Sequence, residues 1–179
     1  MSETVPPTRR ALVRDVVAAT LDAGVPMVRG RVFRARTWPL QREHFPALLV
    51  YGYDETKTLT NMSRGEASYD VTCTMAVGLR VQEKSIDTPG TEADLEALAG
   101  AVCLSVMTAP ALRLSRRGGG LDVSIGAART TLGIKTDGET AIGEGVIAFE
   151  MAWQEQYALP PPELCEEFSL ALLLTPSVP

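Results

Sequence analysis

Few residues in this chain have the type and spacing to do chemistry. Arg116 and Arg117 precede Gly118-Gly119-Gly120, a basic, glycine-rich run of the kind that cradles phosphate with backbone N–H groups. A Walker-type loop needs its lysine and hydroxyl at the start of a helix, and here strand-like alternation follows. Two readings stay open: a flexible hairpin loop, or a loop that touches DNA or a neighbouring subunit. His44 is the only histidine, with Glu43 beside it and no serine or cysteine motif to serve, so it reads as a surface loop residue. Cys73, Cys103 and Cys165 are odd in number, far apart and without a CxxC pair, which argues against zinc and against a disulfide framework. Cys73 and Cys103 fall on apolar faces and read as small core hydrophobes; the cysteine usage suits a reducing cytoplasm. No GxSxG, HExxH or paired-acid pattern occurs. The expectation is a soluble assembly protein rather than an enzyme, with no cofactor and no metal.

Charge points the same way. The net charge of −5 supplies no overall basic field for nucleic acid. Its distribution is uneven: residues 1–42 hold eight arginines against Glu3, Asp15 and Asp22, whereas residues 135–179 hold eight acids against Lys135 alone. Arg29, Arg31, Arg34 and Arg36 crowd one predicted strand, residues 28–36, and form either a solvated face or a contact surface. If the two ends of the chain occupy different surfaces, the molecule is polarised and suits head-to-tail contact with its own copies.

The positioning elements follow from periodicity. Residues 8–23 predict an amphipathic helix with Thr8 as cap, Gly24 as stop and a stripe of Leu12, Val13, Val16, Val17 and Leu21. Residues 46–53 (PALLVYGY) predict a central strand. Residues 54–66 are polar and predict an extended hairpin loop or two protruding strand ends. Residues 67–81 alternate strictly, with Tyr69, Val71, Cys73, Met75, Val77, Leu79 and Val81 on one face, which predicts one long strand. The end near Tyr69 is expected to project beyond the core and meet a neighbour. A second helix is expected at 92–107, with Thr91 and Asp94 as a capping box and Pro110 ending it. Alternation at Leu121, Val123 and Ile125, and at Ile147, Phe149, Met151 and Trp153, predicts two more strands around a turn at Thr136 to Glu139, which contains the hairpin signal Asp137-Gly138. The order implies an α+β fold: an antiparallel or mixed sheet of about five strands, with two helices on one face.

Two units are expected, a single domain over 1–158 and a Pro-rich C-terminal arm over 159–179. The arm joins a stiff Leu159-Pro160-Pro161-Pro162 spacer to the apolar run 168–174, which includes Phe168, Leu170 and Leu172. That run either packs on its own subunit, adds to a sheet edge or binds a neighbour. Residues 1–7 do not resemble a signal segment, and no apolar run is read as approaching the roughly 20 residues of a bilayer span.

The order of elements resembles the tail terminator proteins of long-tailed phages, the lambda-type minor tail protein U group. The matching residues are the helix RRALVRDVVAATL, the strands VRGRVFRAR, FPALLVYGY and YDVTCTMAVGLRV, the helix DLEALAGAV and the strand GEGVIAFEMAWQ. The likeness covers residues 8–157 and carries no diagnostic motif; the arm lies outside it. It implies a homohexameric ring in the virion that sits on the last ring of tail tube protein. Such a ring stops tail polymerisation, offers a surface to a head-completion or neck protein, and passes DNA through its lumen without sequence-specific binding. It makes Arg29, Arg31, Arg34, Tyr69, Phe168, Leu170 and Leu172 candidates for subunit or partner contacts, and Arg116 and Arg117 candidates for a lumen or DNA-facing loop. Another neck or tail-completion protein, or a non-viral small cytoplasmic binding domain, are the alternatives.

Overall fold

A computed structural model describes residues 7–34, 44–63, 65–82, 90–113, 120–137 and 140–158. Along the chain run α1 (Arg9–Gly24), a 3-10 turn (Pro26–Val28), β1 (Val32–Arg34), β2 (Ala47–Ser63), β3 (Glu66–Gln82), α2 (Thr91–Met107), α3 (Pro110–Arg113), β4 (Ser124–Asp137) and β5 (Thr140–Ala158). The alternating run becomes β3, the middle of one five-stranded mixed sheet of order β1-β2-β3-β5-β4. Only β1 pairs in parallel, with β2; the other neighbours are antiparallel. This is the α+β architecture that the sequence predicts.

Paired residues share a face, so the odd positions of β3 set the core layer. Val77 lies between Val50 and Ile147, and Met75 lies beside Phe149. These side chains join Val13, Val17 and Leu21 of α1 and Leu95, Leu98, Val102 and Val106 of α2 in one buried cluster. Each large apolar side chain fully withdrawn from water contributes about 1.5–3 kcal/mol.

Several local expectations are corrected. Thr8 does cap α1, accepting from the Ala11 N–H at 3.3 Å, but Gly24 is the last helical residue rather than a stop. A Cβ at Gly24 would fall 2.7 Å from the Ser105 hydroxyl, so the glycine serves the close approach of α1 to α2. Leu12 lies off the buried stripe, and Ala18 is on it. Of the arginine-bearing strand expected over 28–36, residues 28–31 are not strand and Val32–Arg34 are; residues 35 and 36 lie outside the described residues. Pro26 opens a 3-10 turn, and Arg29 and Gly30 have φ of 49° and 77°, values that end extended backbone. The helix α2 starts at Thr91, with Gly90 as cap and no side-chain capping bond; Thr91 is drawn into the core instead of capping. Pro110 opens α3.

β4 begins later than Leu121. The Leu121 and Val123 N–H groups donate to Ala111 and Leu112 carbonyls, and Asp122 sits at φ 52°, so their alternation reflects a connection pinned to the core. At the other end Asp137 pairs with Thr140, the spacing of a two-residue hairpin, as expected around Asp137-Gly138; Gly138 itself lies outside the described residues. Contrary to the membrane expectation, 91–113 is long and apolar enough to span a bilayer by length and composition. It nonetheless packs Leu95, Leu98, Val102 and Val106 into the core.

Candidate interaction surfaces

The sheet is longer than its cover. α1 and α2 hold 16 and 17 residues, about 24–26 Å at helical rise. β2, β3 and β5 hold 17, 17 and 19 residues, about 55–65 Å as strands. The surplus emerges as the β2–β3 hairpin and the end of β5. The second of the two expectations for 54–66 is therefore the observed one: strand pairing continues to Ser63↔Glu66, with Gly65 at φ 91° in the turn. Residues 56–63 are all exposed. Leu59 pairs with Tyr69, and Met62 with Ala67, which pairs in turn with Tyr157, so these side chains share one face. Leu59, Met62 and Tyr157 remain 50%, 66% and 43% exposed, an apolar patch on a projecting arm.

A polar clamp braces the base of this arm. Lys57 Nζ donates to Glu155 Oε2 at 2.5 Å and to the Tyr157 hydroxyl at 2.6 Å. The Tyr157 hydroxyl donates to the same carboxylate, and Trp153 Nε1 donates to its other oxygen at 2.9 Å. Glu55 lies 3.6 Å from Lys57 and 3.8 Å from Arg10, which ties the start of α1 to the arm. Burial opposes ionisation of Glu155, but hydrogen bonds from Lys57, Tyr157 and Trp153 outweigh it and hold the carboxyl below its usual range. Burial likewise disfavours the Lys57 ammonium, yet hydrogen bonds to Glu155 and Tyr157 hold its pKa above the ordinary lysine value. Both groups are locked in the charge states they have at neutral pH, which suits a structural clamp better than proton transfer. Burial first, then the charge of Glu55, pushes the Cys73 thiol up to about 11, far from an activated nucleophile.

The second surface is the β4 edge, last in the sheet order. Apart from Ile125, its side chains from Ser124 to Lys135 are exposed, including Leu132 at 38% and Ile134 at 48%. On the opposite face of the sheet, Leu49, Tyr51, Gly78, Arg80, Glu144 and Val146 line a shallow cleft of about 430 Å³. There Glu144 pairs with Arg80 and, at 2.7 Å, with Lys135. Burial works against its charge, but these hydrogen bonds prevail and lower its pKa.

The sequence-predicted residues scatter. Arg29 is exposed in the left-handed turn, Arg31 is half-buried with Nε donating to the Val28 carbonyl at 3.0 Å, and Arg34 is exposed on β1. Tyr69 is half-buried, stacked edge-on against Tyr157 at 5.6 Å, on a strand paired on both sides within the chain. His44 is half-buried, edge-on to Phe33 at 6.1 Å. Arg36, Arg116, Arg117, Phe168, Leu170 and Leu172 lie outside the described residues. Two of the acids behind the expected charge polarity, Glu144 and Glu155, are met within the chain by Arg80, Lys135 and Lys57, while Arg29 and Arg34 are exposed. Sequence reasoning missed Lys57, Glu155, Leu59 and Met62; a Lys57–Glu155 pair 98 residues apart leaves no local signal. Among the described residues no three His, Cys, Asp or Glu side chains group as metal ligands. No protein-family model matches the chain, and no curated protein matches it in sequence.

Proposed function

We propose that this chain is a structural subunit of a phage virion. In this reading it is a tail terminator that forms a homohexameric ring on the end of the tail tube, halts polymerisation and presents a head-attachment surface. One observation carries the reading beyond the order of elements: the sheet outruns its helices and leaves an apolar-faced arm and, among the described residues, a long uncovered edge. A self-sufficient monomer gains nothing from exposing both, whereas a ring subunit needs surfaces on two sides for its neighbours. Leu59, Met62 and Tyr157 are the contacts assigned to the arm, and Arg31 and Arg34 stand at the opposite edge of the sheet from β4.

The test is light scattering and negative-stain imaging of the purified protein, alone and mixed with tail tubes. A ring, or binding confined to tube ends, is the expected result. A stable monomer that ignores tube ends overturns the proposal. A second reading, a small binding domain, draws on a cleft of about 780 Å³ beside β5, lined by Arg9, Arg113, Asp122, Trp153 and Gln154 among others, within the size range of ligand pockets. A monomer stabilised in thermal shift by a small molecule would favour it.

A further inference from the structure

We propose that the outer edge of β4 receives, as an added strand, residues 168–174 of a neighbouring copy of this chain; the inference rests on the ring reading above. Among the described residues, no strand faces the outer backbone groups of β4, a strand of 14 residues. Edge strands are usually blunted by proline, charge, bulges or shortness. β4 is long, has no proline, carries one irregularity near its start, between Ile125 and Ala127, and has only Arg129 and Lys135 as charges before its last residue. Its Leu132 and Ile134 pair with Gly145 and Gly143, which are themselves closed over by Leu79, Val81, Thr91 and Leu95, yet the two β4 side chains stay 38% and 48% exposed at the rim of the covered face.

Charge, pattern and chain length identify the occupant. Both described edges are basic: Arg34 is on β1 with Arg31 just before it, and Arg129 and Lys135 are on β4. Pairing β4 with β1 of a neighbour, or with another β4, brings like charges together. Residues 163–167 instead hold Glu163, Glu166 and Glu167, and Phe168, Leu170, Leu172 and Leu174 follow at period two with Ser169, Ala171 and Leu173 between them, so that one face is wholly apolar and the other is small until Leu173. An acidic lead and one apolar face complement a basic edge beside exposed Leu132 and Ile134. Strand addition then supplies affinity from main-chain hydrogen bonds and register from the alternate side chains.

The route favours a neighbour over the chain's own β4. β5 ends at Ala158, opposite Glu66, six residues past Ala152, where β4 begins at Ser124. The chain continues as Leu159-Pro160-Pro161-Pro162, and consecutive prolines favour a stiff extended helix that resists an immediate reversal. Residues 159–167 can span up to about 30 Å, enough to cross to an adjacent subunit.

The test uses two full-length chains, both Cys165→Ser and distinguished by tag, one with Leu132→Cys and the other with Leu172→Cys. They are co-expressed and oxidised. A cross-link between the two differently tagged chains is expected, and it should be lost when Leu170→Asp is added to the second chain. Ile134→Cys, also at an exposed position, provides an independent β4 partner. The absence of a cross-link between the two tagged chains, or one indifferent to Leu170→Asp, overturns the inference. Light scattering on the same samples separates the two ideas: an oligomer without the cross-link refutes strand exchange and leaves the ring, whereas a monomer refutes both.

Discussion

Replacing Gly143 by alanine tests how tightly α2 is seated on the sheet. Gly143 lies on β5 between Val81 of β3 and Ile134 of β4. A Cβ there would fall 2.5 Å from Val81 Cγ2, 3.1 Å from Thr91 Cγ2 and 3.4 Å from Leu95 Cδ2. The shortest of these is about 1 Å inside a comfortable carbon–carbon contact. None of the neighbours yields easily: Val81 is β-branched and stiff at χ1, and Thr91 and Leu95 are buried in the first turns of α2. Relief requires the start of α2 to lift from the sheet. Overpacking of this kind costs about 1–3 kcal/mol, which at roughly 2–4 °C per kcal/mol for a chain of this size lowers Tm by about 2–12 °C. Gly133 in β4 is the control, because a Cβ there meets nothing within 4 Å. Gly133→Ala should be neutral or up to about 1 kcal/mol stabilising, since it removes the entropy cost of glycine in a strand. Thermal and urea unfolding followed by circular dichroism reads both variants. Gly143→Ala melting within about 1 °C of the parent, or Gly133→Ala falling as far as Gly143→Ala, would refute the packing argument.

The Lys57–Glu155 clamp should appear in the pH dependence of stability. A depressed carboxyl pKa adds stability above the unfolded value near about 4.3 and loses it as pH falls through the folded value. The advantage of the parent over Glu155→Gln in urea unfolding, about 1–2 kcal/mol at neutral pH given the partial exposure of Lys57, should therefore shrink below about pH 4. The raised lysine pKa has the opposite sign, and its contribution fades only above the ordinary value of 10.5. Leu59→Asp combined with Met62→Asp should leave Tm almost unchanged, because both sites are exposed, while lowering the oligomer mass seen in light scattering; an unaltered mass removes the arm from the interface. In a Cys165→Ser background a thiol reagent should modify half-buried Cys103 first and reach Cys73 only on unfolding, as mass spectrometry of the native and denatured protein would reveal.

How much of this was legible in advance depended on whether one face of an element is buried. β3 is enclosed by β2 and β5 and covered by α1 and α2, so its odd positions had to be apolar and the whole strand could be read. β4 was foreseen as a strand before the turn but not with its bounds: its described faces are almost equally exposed, and GAARTTLGIKTD alternates only at Leu132 and Ile134. The reverse error occurred at Leu121 and Val123, which alternate because both are pinned to the core across the left-handed Asp122. Arginines crowded at 29–36 suggested one decorated strand, yet positive φ at Arg29 and Gly30 breaks the run, and among the described residues pairing begins at Val32.

The sequence by itself determined the class of fold, the central strand, both long helices and the hairpin spacing after Asp137, because local periodicity and turn chemistry are properties of neighbouring residues. Only the tertiary structure decided which strands stand at the edges, that β1 joins in parallel, and that Lys57 meets Glu155. It also decided that the sheet extends past its helices, leaving residues 56–63 exposed. Those facts depend on pairings between segments far apart in the chain, and no local pattern encodes such a pairing.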